Sequence, residues 1–137
     1  MPEKMNLGLA FYGRGHVNVE AGADGTNSLY QKGELAKEPG LDKGTLEASS
    51  WDYWDIRENY LNQRGYVRYW NEEAKVPYLY SAQTKTFISY DDEESIRAKL
   101  DYVKQKGLGG AMFWEASADK CGELLSVTAK CLGIDNK

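Results

Sequence analysis

The stretch GLGGAMFWEASAD, residues 107–119, lies between two segments with helical sequence patterns. Its apolar run, Gly109–Trp114, is short and follows glycine, which is typical of a buried strand. The run ends in a bulky aromatic residue and an acid, Trp114 and Glu115, although a strand buried on both faces needs no such residues at its carboxyl end. The stretch therefore predicts a strand whose end carries functional side chains.

The segments on either side of this strand predict helices. Residues Asp92–Lys106 place aliphatic side chains on one face, acids in the first turn and lysines in the last, and Gly107 stands at the expected stop. Residues Lys120–Leu132 carry a second apolar stripe at helical spacing. The carboxyl-terminal part is therefore predicted to be helix, strand, helix.

The amino terminus predicts another strand, Met5–Tyr12, in which large apolar residues alternate with mostly small ones. The motif YGRG, residues 12–15, follows, and its glycines are expected to let the backbone turn sharply. Strands that alternate with helices indicate a parallel sheet, which places its site at the carboxyl ends of the strands. The side chains at those ends are Tyr12, Arg14, Trp114 and Glu115.

The middle of the chain predicts loop, helix and antiparallel strands. Residues 13–45 are rich in small and polar residues and predict a long loop with a helical turn near Leu29–Leu35. A short helix is expected at Trp51–Leu61, with Ser50 as its cap. Pro77 restricts its strand to an edge or a first position. Three strand-like runs follow the helix, the last two as a hairpin: Tyr66–Trp70, Val76–Tyr80 and Thr86–Tyr90.

Composition argues against several classes of function. The 137 residues carry a net charge of −4 without a Lys/Arg cluster, so the footprint of a nucleic-acid binder is missing. No run approaches the roughly 18 apolar residues of a membrane span, and the amino terminus lacks the pattern of a signal peptide.

Cys121 and Cys131 would be about 15 Å apart along a helix, too far for a disulfide, and are expected to be buried free thiols. His16 is the only histidine, and no metal-ligand pattern accompanies it.

Four segments, taken in order, resemble a single family. They are NLGLAFYGRG (6–15), TLEASSWDYWDI (45–56), GYVRYWNEEAKVPYLYSAQTKTFISYDDEESI (65–96) and GLGGAMFWEASAD (107–119). On these motifs, the chain resembles the carboxyl-terminal part of a glycoside hydrolase family 18 chitinase of the bacterial type, over roughly residues 2–132. One motif of this kind is unspecific, whereas four in the family's own order are specific.

The resemblance implies an α/β fold made of the last two βα units of a (β/α)8 TIM barrel, which carry an α+β chitinase insertion domain. Residues 1–14 and 91–137 would belong to the barrel, and residues 15–90 to the insertion domain. In the family this domain forms one wall of the sugar cleft. The missing amino-terminal part of the barrel would then be a partner of this chain.

The resemblance also implies four substrate-binding residues. Trp114 is similar to a tryptophan that lies under the sugar at the cleavage subsite and that tends to precede a cis peptide bond. Tyr12 and Arg14 match a motif that reaches the bound chitin chain. Glu47 matches an insertion-domain glutamate on the glycone side, where it could pair with Arg14. The simpler alternatives are that Trp114 fills the core and that Arg14 and Glu47 form an ordinary solvated pair.

Members of this family use the N-acetyl oxygen of the substrate as the nucleophile and one glutamic acid as the proton donor. The motif that carries this acid, D-x-x-D-x-D-x-E, does not occur in this sequence. The chain is therefore expected to supply cleft residues for chitin or N-acetylglucosamine oligosaccharides, with no catalytic residue, cofactor or metal. The parent enzyme is expected to be extracellular. Two alternatives stay open: a lectin-like chitin-binding module, and an α+β unit that binds a protein.

Overall fold

The computed structural model describes residues 1–23, 25–38, 44–45 and 47–134. These residues form a mixed α/β structure with a parallel and an antiparallel sheet. The strands are β1 (Asn6–Ala10), β2 (Tyr12–His16), β3 (Ser50–Asp52), β4 (Tyr66–Asn71), β5 (Val76–Ser81), β6 (Thr86–Ser89) and β7 (Gly110–Trp114). The helices are α1 (Tyr53–Asp55), which continues as a π-helical turn (Ile56–Tyr60), α2 (Glu93–Lys106) and α3 (Glu123–Leu132).

The parallel sheet pairs β1 with β7, as the alternation of strands and helices predicted. The register runs from Asn6 opposite Gly110 to Ala10 opposite Trp114, so both strands end at the same level. Helix α2 precedes β7 and α3 follows it, and the two helices pack against each other. The predicted helix, strand, helix order of the carboxyl-terminal part is therefore confirmed.

The antiparallel sheet has the strand order β3-β2-β6-β5-β4 and corrects the prediction for the amino terminus. The expected single strand Met5–Tyr12 ends at Ala10, and β2 begins a new sheet where a loop was expected. Its glycines serve close packing rather than a turn. A Cβ atom at Gly15 would lie 2.6 Å from the Trp51 ring, and one at Gly13 would lie 2.6 Å from Ile56.

The predicted helix Trp51–Leu61 starts too early. Trp51 is fully buried in β3, where it faces the glycines of β2, and the helix begins only at Tyr53. Ser50 pairs with β2 and is not a helix cap. The helical turn expected near residues 29–35 is also absent there, since a turn ends at Tyr30 and Glu34 forms a bridge to Val17. Residues 24 and 39–43 of the predicted loop lie outside the described residues.

The three strands predicted between residues 66 and 90 are confirmed as β4, β5 and β6. The expectation that Pro77 marks an edge or a first position is wrong, because it is the second residue of β5, which lies between β4 and β6. The pairing of β5 with β6 ends at Tyr78 opposite Ser89. Pro77 stands beyond that pair, so its missing N–H removes no hydrogen bond to β6.

Helix α2 forms as predicted, with Gly107 in the left-handed conformation at its end. Helix α3 starts at Glu123 rather than Lys120. The Asp119 carboxylate accepts hydrogen bonds from the N–H groups of Glu123 (3.0 Å) and Leu125 (2.9 Å), which fixes the later start. No helix among the described residues is long and apolar enough to cross a membrane.

The two cysteines are unpaired, as expected from their spacing, but the expectation that both are buried is wrong. Cys131 is half-buried within α3. Cys121 is exposed, because it lies in the turn that precedes this helix rather than on its buried face.

Both sheets contribute to one hydrophobic core, whose fully buried members include Phe11, Trp51, Ile88 and Leu100. Phe11 stands between β1 and β2 and connects the sheets through its backbone. Its N–H donates to the Trp114 carbonyl (2.8 Å), and its carbonyl accepts from the Tyr53 N–H (3.1 Å). The end of β7 is thereby held beside the start of β2.

Candidate functional site

A pocket of about 290 Å³ lies where the carboxyl ends of β1 and β7 meet the outer face of the antiparallel sheet. All four residues expected to bind substrate line it: Tyr12, Arg14, Glu47 and Trp114. Four further lining residues are Ser50, Asp52, Glu115 and Ala118. The structure therefore brings together the four predicted residues, which lie up to 102 positions apart in the sequence, and their role in binding stays a prediction.

The pairing of β2 with β3 explains why these side chains share one face. Tyr12 lies opposite Asp52 and Arg14 lies opposite Ser50, and directly opposed residues point to the same side of a sheet. The intervening pair, Gly13 and Trp51, points to the core. Strand alternation thus presents polar and aromatic groups to the pocket while it buries Trp51 on the other side.

Arg14 and Glu47 form an ion pair in which Nη1 and Oε1 are 2.7 Å apart. The side chains are 59% and 63% exposed, so water screens the pair and it contributes little to folding. The guanidinium carbon also lies 5.5 Å from the centre of the Tyr12 ring. Hydrogen-bonding groups and an aromatic ring are thus held together at a surface that a ligand can reach.

Trp114 is the last residue of β7, and 64% of its surface is exposed. This exposure contradicts the alternative that the residue fills the core. The peptide bond between Trp114 and Glu115 is cis, as the resemblance implied. The backbone carbonyl of Trp114 is held by Phe11, so the exposed indole belongs to a fixed point of the fold.

Asp52 is a pocket residue that the sequence analysis missed. Its Oδ2 atom accepts a hydrogen bond from Trp54 Nε1 (2.9 Å), and its N–H donates to Thr45 Oγ1 (3.2 Å). The Lys120 ammonium lies over one face of the Trp54 ring, 3.0 Å from its centre. Oδ1 of Asp52 is buried without a hydrogen-bond partner among the described residues. The alternation Ser50-Trp51-Asp52 was the available signal, and the expected helix obscured it.

Asp55, three residues further along, is a buried carboxylate with 4% exposure. Burial raises its pKa, and the negative charge of Asp52 acts in the same direction. Hydrogen bonds from Asn59 and Thr45 oppose this rise. The Asn59 amide nitrogen lies 2.7 Å from Asp55 Oδ1.

The described residues that line the pocket include two accessible aromatic rings, three carboxylates and one guanidinium. Aromatic faces pack against flat apolar surfaces, and a few fixed polar groups set the orientation of a ligand. Carboxylates accept hydrogen bonds from hydroxyl or amide groups, whereas the guanidinium donates them. Such a surface suits a ring-shaped, polyhydroxylated ligand. Among the described residues, no group of three or more His, Cys, Asp or Glu side chains is arranged to hold a metal ion.

Comparison with known proteins identifies relatives over most of the chain. The sequence profile of the family described as "Glycosyl hydrolases family 18" matches residues 1–119. Chitinase A1 of Niallia circulans is 52% identical over 117 residues, which cover 85% of this chain and 16% of that protein. Chitinase B of Serratia marcescens is 34% identical over 133 residues, which cover 90% of this chain and 27% of that protein. The chain thus spans less than a third of the length of either relative.

Solved structures give the same result. Chitinase ChiA74 from Bacillus thuringiensis superposes with a TM-score of 0.82 at 44% identity, over 100% of this chain and 24% of that one. A mutant class V chitinase from Nicotiana tobaccum, solved in complex with NAG4, superposes with a TM-score of 0.78 at 27% identity, over 99% of this chain and 36% of that one. The chain therefore superposes on part of several chitinase structures, one of which binds a chitin oligosaccharide.

Proposed function

This chain belongs to glycosyl hydrolases family 18, and we propose that it forms one side of the chitin-binding cleft of a chitinase. The observation that carries the proposal is the convergence of Tyr12, Arg14, Glu47 and Trp114 on a single pocket. These residues come from β2, from the segment before β3 and from β7. Their common location supports a role in holding N-acetylglucosamine units of chitin.

The architecture supports a more detailed assignment of the fold. Residues 1–14 and 91–137 would be the last two βα units of a (β/α)8 barrel, and residues 15–90 an α+β insertion domain. The antiparallel sheet already begins at Tyr12, just ahead of this boundary. A parallel pair such as β1–β7 normally belongs to a larger sheet with both faces covered. The amino-terminal part of the barrel is accordingly the partner that we propose for this surface.

In the complete cleft, the N-acetyl oxygen of the substrate would attack its own anomeric carbon while a glutamic acid outside this chain protonates the leaving oxygen. A water molecule would then attack the anomeric carbon and displace the N-acetyl oxygen, so that two successive displacements hydrolyse the β-1,4 bond with retention of the anomeric configuration. The residues of this chain would act by positioning. The Trp114 ring supports one face of the sugar, and Arg14 and Glu47 hydrogen-bond to its polar substituents. The parent enzyme would act outside the cell, where polymeric chitin is accessible.

The test is calorimetric titration of the chain with an N-acetylglucosamine hexamer, together with retention on insoluble chitin. Replacing Trp114 by Ala removes an exposed ring, and we expect the hexamer affinity to fall about three- to tenfold, in line with typical aromatic contacts. Tyr102→Ala removes a ring that is 50% exposed on α2, away from the pocket, and serves as the matched control. Equal affinity of the Trp114→Ala variant and the wild type would contradict the role of this pocket.

A lectin-like, non-catalytic module is the second candidate, because the binding residues assemble in a chain that lacks the acid motif. A release assay with a chromogenic N-acetylglucosamine oligomer tests the shared premise. We expect binding without release from this chain. Release would mean that a proton donor is present within these residues. The acid motif in the parent protein then separates the two candidates, since a chitinase requires it and a lectin-like module does not.

A further inference from the structure

Trp54 does not line the pocket, but it hydrogen-bonds to a residue that does. Its indole Nε1 donates to Oδ2 of Asp52 at 2.9 Å. Asp52 borders the pocket from β3, whereas Trp54 is the second residue of α1. The orientation of a pocket carboxylate therefore depends on a residue outside the pocket.

Lys120 lies on the face of the Trp54 ring and connects this bond to the other wall of the pocket. Its ammonium is 3.0 Å from the ring centre and comes from the segment between β7 and α3. The same segment carries the lining residues Glu115 and Ala118. A cation over an indole face is attracted to the ring, and it withdraws electron density from the ring, which makes the N–H group a stronger donor. Lys120 thus holds the Trp54 ring and strengthens its bond to Asp52.

The Asp52 residue is held at three points and has one carboxylate oxygen left. Its backbone N–H donates to Thr45 (3.2 Å), its strand position pairs with Tyr12, and its Oδ2 accepts from Trp54. The other oxygen, Oδ1, is buried and has no hydrogen-bond partner among the described residues. A buried acceptor without a partner is costly, and a donor that reaches it displaces little hydration. Oδ1 is therefore the atom of Asp52 that gains most from a hydroxyl or amide group of a ligand.

From this geometry we propose that Trp54 is a positioning residue of the cleft: its indole N–H, under the Lys120 ammonium, fixes the Asp52 carboxylate so that Oδ1 accepts a hydrogen bond from the bound sugar. The inference rests on the proposed function and adds a contact to it. Trp54 acts only through Asp52. Without the indole N–H, the carboxylate is free to rotate, and binding has to order it again, which lowers affinity.

A double-mutant cycle on ligand binding tests whether Trp54 acts through Asp52. The ligand is an N-acetylglucosamine hexamer, titrated calorimetrically into the full chain. Trp54→Phe keeps a ring under Lys120 but removes the N–H group, and we expect the affinity to fall about three- to tenfold. Asp52→Ala should lower the affinity about tenfold. In the Asp52→Ala background, Trp54→Phe should have no further effect, because the carboxylate that it positions is gone.

Trp70 offers a matched control. Its indole Nε1 donates to Oε2 of Glu72 at 2.9 Å, and the Arg68 guanidinium lies over its ring at 5.4 Å. The same arrangement thus recurs in β4, which is at the opposite edge of the antiparallel sheet from β3. Trp70→Phe should leave the hexamer affinity unchanged. Urea unfolding of each variant separates an effect on binding from an effect on folding.

The Lys120 ammonium gives a second, independent test. Lys120→Met keeps an apolar chain without the charge and should weaken hexamer binding about two- to fivefold. Lys120→Arg should restore the affinity, because a guanidinium also stacks on an indole. Arg57 and Glu123 form a separate ion pair between the turn after α1 and the start of α3. The substitutions at Lys120 should therefore not separate these two elements.

Four results would count against the inference in distinguishable ways. Equal weakening by Trp54→Phe in both backgrounds would show that Trp54 acts on the fold rather than through Asp52. No weakening by Trp54→Phe, while Trp114→Ala still weakens hexamer binding, would overturn the inference and leave the proposed function standing. Wild-type affinity of Lys120→Met would contradict the role of the ammonium. If the wild-type chain does not bind the hexamer, the proposed function fails, and the inference fails with it.

Discussion

Asp55 is a carboxylate that the fold buries without giving it a cationic partner at hydrogen-bond distance among the described residues. Its pKa is raised mainly by burial. A raised pKa means that the folded protein holds a proton over a pH interval in which the unfolded chain has lost it. The stability contributed by this proton is therefore present below the unfolded pKa, about 3.9, and is lost as the pH rises through the folded value.

The prediction that follows concerns Asp55→Asn, which removes the titration and keeps an oxygen for Asn59. We expect the stability of the variant relative to the wild type to increase as the pH rises from about 3 through the raised pKa. Urea unfolding measured at a series of pH values tests this. Asp101→Asn, at an exposed position on α2, is the control. Parallel pH profiles of wild type and Asp55→Asn would show that burial does not perturb this carboxyl group.

At the scale of elements, α2 is the clearest case of local sequence fixing a structure. Asp92 is its N-cap, and Oδ1 accepts from the N–H groups of Glu94 (3.0 Å) and Ser95 (3.1 Å), while Ser95 Oγ accepts from the Asp92 N–H (2.9 Å). Oδ2 of Asp92 also accepts two hydrogen bonds from Arg68, at 2.7 and 3.0 Å. The cap thus joins the start of α2 to strand β4.

We expect Asp92→Ala to lower the free energy of unfolding by about 2 kcal/mol or more, because it removes a helix cap and leaves Arg68 without its better-buried partner. Glu94→Ala is the matched comparison. It removes the other carboxylate on Arg68, at 2.8 Å, but Glu94 is 62% exposed, so the loss should stay below about 1 kcal/mol. Urea unfolding measures both. Similar decreases in the free energy of unfolding of the two variants would mean that the Asp92 cap contributes no stability beyond its ion pair with Arg68.

Among the elements, α2 could be predicted from the sequence, whereas β2 and β3 could not. Acids, lysines, apolar spacing and a terminal glycine all agree for α2, and its predicted and observed bounds differ by a single residue. Strand β2 was missed because the glycines of YGRG indicate a turn when read locally, and β3 was missed because Trp51–Leu61 was expected to be a helix with Ser50 as its cap. Position 15 requires glycine because Trp51, which is 36 residues away in the sequence, packs against it. A packing partner so distant leaves no periodic signal in either segment.

The candidate site follows the same division. The resemblance named Tyr12, Arg14, Glu47 and Trp114, and the fold brings them to one pocket. Asp52 was not predicted as a pocket residue because its side chain points to the pocket only if residues 50–52 form a strand. Glu115 was noticed at the end of β7 without a role. Motifs thus predicted four residues of the pocket, whereas the pairing of β2 with β3 was needed to find their neighbours.

For the whole molecule, the decisive connection is the one between the two sheets at Phe11. The residue is fully buried, and its ring stacks on Phe113 with centroids 4.8 Å apart and planes at 10°. Its backbone bonds to Trp114 on one side and to Tyr53 on the other. Phe11 therefore contacts the parallel sheet through its ring and its N–H group, and its carbonyl binds the start of α1, directly after β3 of the antiparallel sheet. The pocket beside it depends on the relative position of these elements.

The last prediction is that Phe11→Ala destabilises both sheets together. Truncating a fully buried aromatic residue typically costs about 3–5 kcal/mol, so the free energy of unfolding measured in urea should fall by that amount. Unfolding should remain a single transition.

Hydrogen exchange followed by NMR locates the effect, with Leu9 reporting on β1 and Leu79 on β5. Both amides should lose protection equally if the core unfolds as one unit. Loss of protection at Leu9 alone would show that the sheets unfold separately. In that case the pocket would form only while the smaller sheet is docked, and Phe11→Ala should also weaken oligosaccharide binding under conditions where the antiparallel sheet stays intact.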